Sequence, residues 1–473
     1  MRNSKQSDKA TDRLPKPSAS CCFYRIADPV RMFTKIDLLN FVKKQEIAVW
    51  WNSVERNAKL SSAFRSLVLS LMERKGVGAD KLKENLSKHR IPWLLCCRNL
   101  IRLALVEYAY YCEVSGEKML SPKRISELLG CSMVEANMSN TERGARLRRS
   151  RLVSSAYSRF SDFQQVDLRY RTLPVRDCCI CATMGAGKST FTNALLGSDV
   201  LPVRNEATTA KVTSVYDRDG EIGLVGYCQG RNGGLKDFRE ALTLKHLNVW
   251  NSDKDVARVF LRGDFNGIGN KGMIAAMHDT PGTNNSSDST HHDITINFLL
   301  NHKIDLLLFI LNAEHLGTTD EKALLTDVQK ITRGSPTPIL FVLNKADSID
   351  PGKESLGQMV DKYKKYLVSL GFVRPEIMPV ASKAARLIKI AICGNADVMT
   401  DSEKDGFPIV VNWMNKHPIA GCQCRKGPSN GGRRIKVDDE SYLASELDGA
   451  LRHTGFSDLE NRIEELLLKK KGH

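Results

Sequence analysis

The thirteen residues from Ala182 to Ala194 (Ala-Thr-Met-Gly-Ala-Gly-Lys-Ser-Thr-Phe-Thr-Asn-Ala) constrain this chain more than any other stretch. They follow the apolar run Cys178-Cys179-Ile180-Cys181 and lead into Leu195-Leu196-Gly197, so the order is strand, glycine-rich turn, helix. Such a turn aims successive backbone N–H groups inward at a helix N-terminus, where they can cradle phosphate oxygens. Gly185, Ala186 and Gly187 make the turn, Lys188 supplies a point charge to the β and γ phosphates, and the Ser189 hydroxyl is placed for Mg²⁺, with Thr190 behind it. Ala182 stands where the motif usually opens with glycine. Backbone N–H groups do most of the holding, so its methyl is a small departure.

Which base enters is set further along. Asn344-Lys345-Ala346-Asp347 follows the apolar run Ile339-Leu340-Phe341-Val342-Leu343, at the end of an expected buried strand, where α/β sheets bind ligands. The Asp347 carboxylate can accept from the N1–H and 2-amino group of guanine. Adenine offers neither donor and would leave the carboxylate unpaired. Between the two motifs, Asp279-Thr280-Pro281-Gly282 ends another apolar stretch. There Asp279 can hold Mg²⁺ through its water shell and the Gly282 N–H can sense a γ-phosphate. The polar segment Asn205–Ala210 includes Thr209, a threonine that can fold over the nucleotide onto Mg²⁺. Val380-Ala381-Ser382-Lys383 is placed to touch the guanine carbonyl. Five elements in this order point to GTP, GDP and Mg²⁺.

The run Met184–Thr190, with Asn193-Ala194-Leu195-Leu196-Gly197 and Val200-Leu201-Pro202 behind it, resembles the bacterial dynamin-like GTPases. So does Asp305–Ala313 with Gly317-Thr318-Thr319-Asp320-Glu321. The resemblance covers about residues 173–393 and returns faintly at Gly455–Glu460. It implies a P-loop GTPase domain, an α/β fold with a doubly wound, mostly parallel sheet. Matched motif to motif, it implies Lys188, Ser189 and Thr209 as the catalytic set and Ser189, Thr209 and Asp279 around the metal. Gly185, Ala186, Gly187, Lys188, Ser189, Thr190, Asp279, Gly282, Asn344, Lys345, Asp347, Ser382 and Lys383 would hold the nucleotide. Two departures matter: Met184-Gly185 replaces the Gln-Ser pair frequent in dynamin-type loops, and Thr283 follows Gly282 where Ras-like enzymes carry glutamine. Slow basal GTP hydrolysis is therefore expected, raised by a partner or by self-association through the GTPase domain.

Charge is unevenly placed. Residues 1–172 hold 32 Lys and Arg against 17 Asp and Glu, so +15 of the formal +16 lies there. A basic region of this kind suits an anionic membrane or partner protein, with RNA the less favoured choice. The expected organisation is a polar tail at 1–20, a basic helical region at 21–172, the GTPase domain at 173–393, an irregular insertion at 394–438 and closing helices at 439–473. Asp237–Trp250 reads as a helical insertion between the switches. Ile91–Cys112, the most membrane-like stretch, carries Arg98 and Arg102 on one helical face and reads as an amphipathic helix. Ser121–Arg151 has a faint helix-turn-helix flavour.

The polar start predicts no export leader, and thirteen cysteines then read as reduced thiols in the cytoplasm, with peripheral membrane contact as a variant. Neither Cys178-Cys179-x-Cys181 nor Cys422-x-Cys424 near His417 has zinc-site spacing. A rival function is a regulatory GTP-binding switch docking on RNA, ribosome or protein with little hydrolysis of its own.

Overall fold

The computed structural model describes residues 28–47, 54–73, 93–129, 131–151, 153–201, 211–283, 289–349, 354–419 and 433–469. They fall into two compact units, one ending at Leu173 and one starting at Pro174. The first unit is helical: α1 (Pro29–Lys44), α2 (Val54–Met72), α3 (Trp93–Ser115), α4 (Pro122–Leu129), α5 (Met133–Asn137), α6 (Asn140–Arg148) and α7 (Ser154–Arg171). Helix starts follow local chemistry. Ser132 caps α5, and Ser139 with Glu142 closes a capping box on α6.

α3 lies at the centre of this unit and is buried around much of its circumference: Leu100, Leu103, Leu105 and Val114 meet Phe64 and Leu67 of α2, Leu147 of α6 and Phe160 of α7. The amphipathic reading of Ile91–Cys112 needs correcting here. Arg102 is buried in a two-bond pair with Glu135 of α5, at 2.8 and 2.5 Å, and only Arg98 faces solvent. No helix among the described residues is long and apolar enough to cross a membrane.

Glu107 of α3 is fully buried with Gln45 as its hydrogen-bond donor, at 3.2 Å. Burial pushes its carboxyl up to about 8. Folded protein thus keeps a proton that the unfolded chain releases above pH about 4.5. Stability contributed by this group is present at low pH and falls as pH rises toward 8, by at most about 1.4 kcal/mol per unit. In Glu107→Gln that slope should vanish, so the urea midpoint of the variant should overtake wild type between pH 6 and 8. Parallel midpoint curves for the two proteins would remove this account.

The second unit carries one nine-stranded sheet. Its strands are β1 (Val175–Ala182), β2 (Thr213–Asp217), β3 (Val225–Gly230), β4 (Leu235–Arg239), β5 (Val256–Gly263), β6 (Ile274–Asp279), β7 (Leu306–Asn312), β8 (Ile339–Asn344) and β9 (Glu376–Pro379). The spatial order is β4-β3-β5-β2-β6-β1-β7-β8-β9. From β6 to β9 all neighbours are parallel. β2 turns antiparallel to β6, and β3 and β4 form an antiparallel edge. The helices are α8 (Lys188–Leu196), α9 (Leu244–Ser252), α10 (Ser289–Asn301), α11 (Thr319–Thr332), α12 (Leu356–Ser369), α13 (Ser382–Ile392), α14 (Asp401–Lys416), α15 (Ala444–His453) and α16 (Phe456–Leu468), with a short hairpin β10 (Arg434–Val437) and β11 (Glu440–Leu443).

β1 explains the doubly wound layering. Cys178 and Ile180 face a core with Phe191 of α8 and Phe456, Leu459 and Ile463 of α16, whereas Cys179 and Cys181 face one with Phe298 of α10 and Leu324 of α11. A strand covered on both faces is apolar throughout, which is why its cysteines pack as small hydrophobes. Two local readings differ from what is found. In 237–250, Asp237 belongs to β4, and the helix begins only after Thr243. Leu235–Arg239 lacks β-branched residues, and its pairing with β3 makes the strand, not intrinsic propensity. The stretch 394–438 contains α14, opened by a Thr400–Glu403 capping box. Cys422 and Cys424 lie outside the described residues.

Candidate nucleotide site

The phosphate loop sits between the end of β1 and α8. Gly185 and Gly187 both take positive φ, 79° and 88°, a region open to glycine. Gly187 has a second reason: a Cβ there would lie 2.4 Å from Asn344 Nδ2. Lys188 opens α8 with its ammonium donating to Asp279 Oδ1 at 2.6 Å. Asp279 ends β6, the parallel neighbour of β1, and this pairing brings residues ninety-one apart together. Asp279 is 0% exposed; burial pushes its carboxyl up and the Lys188 ammonium opposes that.

The segment Asp279–Thr283 continues alongside the loop. Thr280 donates to Ile180 O at 2.8 Å, the Thr283 N–H to Ala182 O at 3.4 Å and the Met184 N–H to Thr283 O at 3.2 Å. Gly282 packs beside Met184: a Cβ there would stand 3.5 Å from Met184 Cα, ordinary van der Waals contact. Ser189 and Thr190 are half-buried on the first turn of α8. Thr209 lies outside the described residues.

At the other end of the site, β8 delivers Asn344, Lys345 and Asp347. Asn344 is 2% exposed and acts as a clamp: Nδ2 donates to Ala186 O at 2.8 Å and Oδ1 accepts from the Ser382 N–H at 3.1 Å. One side chain therefore joins the phosphate loop, β8 and the loop before α13. Lys345 adopts the left-handed conformation, φ 60°, and a 3₁₀ turn over Ala346–Ser348 follows. Asp347 is half-buried; burial raises its carboxyl and Lys383 opposes the shift. Lys383 itself is exposed. A cleft of about 870 Å³ lies beside the site, lined by Thr190, Asp199, Leu224, Asp264, Lys383 and Arg386; Lys188, Asp279, Asn344 and Asp347 do not line it.

Three buried oxygens around these loops have no hydrogen-bond partner among the described residues: Asp279 Oδ2, Thr283 Oγ1 and Ser382 Oγ. Buried polar atoms are seldom left so, because desolvation without a partner is costly. Asp279 Oδ2 fits the water shell of a Mg²⁺ ion, and the neighbouring hydroxyl of Ser189 fits direct ligation of a hard cation.

Reading the motifs one at a time missed Glu314. Its carboxylate accepts from Lys345 Nζ at 2.6 Å, and its N–H donates to Asn312 Oδ1 at 3.0 Å. No sequence signal marks Glu314: the Asn312↔Asn344 register between β7 and β8 brings it there. Also missed were two buried ties of α13: Arg386 to Asp199, at 2.8 Å, and to Glu403, and Lys389 to Glu460 of α16 at 2.5 Å.

Residues 177–345 match the family described as the 50S ribosome-binding GTPase. No curated protein matches. Among solved structures, the chain is similar to Era of Aquifex aeolicus bound to GDP and aluminium fluoride, with 22% identity over 45% of this chain and 52% of that one and a TM-score of 0.27. It is similar to Toc33 of Arabidopsis thaliana, with 13% identity, coverage of 66% and 90% and a TM-score of 0.33. It is also similar to a bacterial dynamin pair, with 16% identity, coverage of 88% and 61% and a TM-score of 0.37. The chain spans about half the length of the Era chain. Residues 177–345 form a P-loop GTPase domain, and the matched family implies guanine-nucleotide binding and GTP hydrolysis.

Proposed function

We propose that the chain is a dynamin-like GTPase in which GTP hydrolysis is slow alone, rises with self-association or a partner, and is coupled to movement of helices. The observation that carries the site is the Asn344 clamp, which ties the phosphate loop to both base-reading loops. With GTP in place, backbone N–H groups from Gly185 to Lys188 hold the β-phosphate, and the Lys188 ammonium is shared between Asp279 and the phosphates. The Gly282 N–H donates to the γ-phosphate and loses that partner after hydrolysis, which frees the second switch. Asp347 accepts from the guanine edge, Lys345 lies along the ring and the backbone at Ser382–Lys383 meets the guanine carbonyl. Ser189, Thr209 and Asp279 would hold Mg²⁺, which when bound withdraws charge from the phosphate oxygens.

Slow turnover follows from what stands near the γ-phosphate. Met184 and Gly185 offer no side-chain hydrogen bond, and Thr283 is 2% exposed and tied to the loop through its backbone. Among the described residues there, none orients water as glutamine does. In this reading a second copy or a partner completes the site. Turnover per molecule should therefore rise as protein is concentrated, read by phosphate release across a hundredfold dilution series. A flat series would leave the second reading, a regulatory GTP switch docking on RNA, ribosome or protein, which the same three residues favour.

A further inference from the structure

We propose that the helical unit ending at Leu173 carries a binding surface for the phosphate backbone of RNA, centred on Arg98, Arg149 and Arg151. This names a partner class for the second reading above, yet it rests on no residue of the nucleotide site. Asn99 Nδ2 donates to Ser150 Oγ at 3.0 Å, which brings the start of α3 against the turn between α6 and α7. Arg98 is next to one partner, and Arg149 and Arg151 flank the other. All three are exposed, and none forms an ion pair among the described residues. Arg146, one turn back on α6, borders the patch.

Neighbouring arginines show what these three are not doing. Arg102 is used on Glu135. Arg143 is 2% exposed and donates to Glu135 O, Ala136 O and Asn140 Oδ1, which fixes α5 against α6. Arg148 lies over the Tyr157 ring. Arg146 and Arg148, in the last turn of α6, already answer its dipole, and Arg149 and Arg151 lie beyond that turn. The two carboxylates of 132–151 are Glu135, bound to Arg102, and Glu142, held at the Ser139 cap.

The side-chain chemistry selects the ligand. From 140 to 153 every cation is arginine, never lysine, and a guanidinium fork pairs two phosphate oxygens at once from a fixed mount. Among the described residues of this unit no aromatic ring is exposed beside the arginines, and guanidinium chemistry of this kind is that of contact with the phosphate backbone. Met133 and Val134 are exposed nearby, at 46% and 73%. Two aliphatic side chains with three charges make a weak membrane anchor. This surface is thus assigned to RNA rather than lipid.

The test uses the full chain without guanine nucleotide and a fluorescein-labelled 20-nucleotide RNA. Three phosphate contacts predict that affinity falls about twentyfold between 50 and 200 mM salt, from roughly 0.7 counterions released per phosphate. In Arg98→Gln/Arg149→Gln/Arg151→Gln the salt slope should drop by about 2 and binding at 50 mM by at least about tenfold. GTP turnover should stay at the wild-type rate, which shows that the variant folds. An unchanged salt slope in the triple variant, or no RNA binding by wild type, overturns the proposal. So does binding to phosphatidylserine vesicles, with none to RNA, that the triple variant loses. Failure of GTP binding would leave these outcomes intact.

Discussion

Replacing Lys188 by alanine is expected to abolish calorimetric binding of both GTP and GDP, raising Kd by about 10³-fold or more. Two effects add. Charge-assisted hydrogen bonds to the phosphates are lost, each worth about 1.5–3 kcal/mol. Asp279, 0% exposed and now without its cation, faces the phosphates as an unpaired carboxylate. Breaking a buried pair by removing one partner costs about 3–5 kcal/mol, so the single variant should also melt lower. Lys188→Ala/Asp279→Asn separates the two effects: it removes the orphaned charge and should recover stability while still failing to bind. Near wild-type affinity in either variant would mean that the triphosphate is held elsewhere.

The fold of the second unit was legible because its strands are apolar on both faces and its loops carry motif residues at strand ends. Cys178–Ala182 and Ile339–Asn344 could be placed from sequence for that reason. The antiparallel edge was not legible. β4 has no buried residue and owes its conformation to pairing with β3, a non-local cause that no window of residues contains. In the helical unit, periodicity located helices but not the partners of buried polar groups. Arg102 looked like a solvent-facing charge until α5 brought Glu135 over it.

At the site, motif residues were found one by one, but their wiring was not. Asn344 was placed in the site by its motif, but the bonds of its side chain to Ala186 O and the Ser382 N–H were not legible, because they depend on the end of β8, the phosphate loop and the start of α13 meeting. Glu314 carries no motif of its own and reaches Lys345 only because β7 and β8 pair in register. Lys389 and Glu460 are seventy-one residues apart, and their ion pair ties α13 to the closing helix α16.

Asp347→Asn should exchange base preference, from guanine toward xanthine. The aspartate accepts from N1–H and the 2-amino group; asparagine keeps one acceptor and turns its amide N–H₂ toward the second donor. Losing a charged hydrogen bond and meeting donor with donor should weaken GTP about 10²-fold or more. Xanthine carries a carbonyl where guanine carries the amine, so Nδ2 gains an acceptor and xanthosine triphosphate should compete better with the variant than with wild type. The pH dependence carries a second signature. Burial raises the Asp347 carboxyl, so guanine affinity should begin to fall on acidification earlier than a solvent-exposed aspartate would require. Asparagine does not titrate, and competition curves for the variant should lose that acid limb. An Asp347→Asn protein that still ranks GTP far above xanthosine triphosphate at every pH would place base recognition outside the β8 loop.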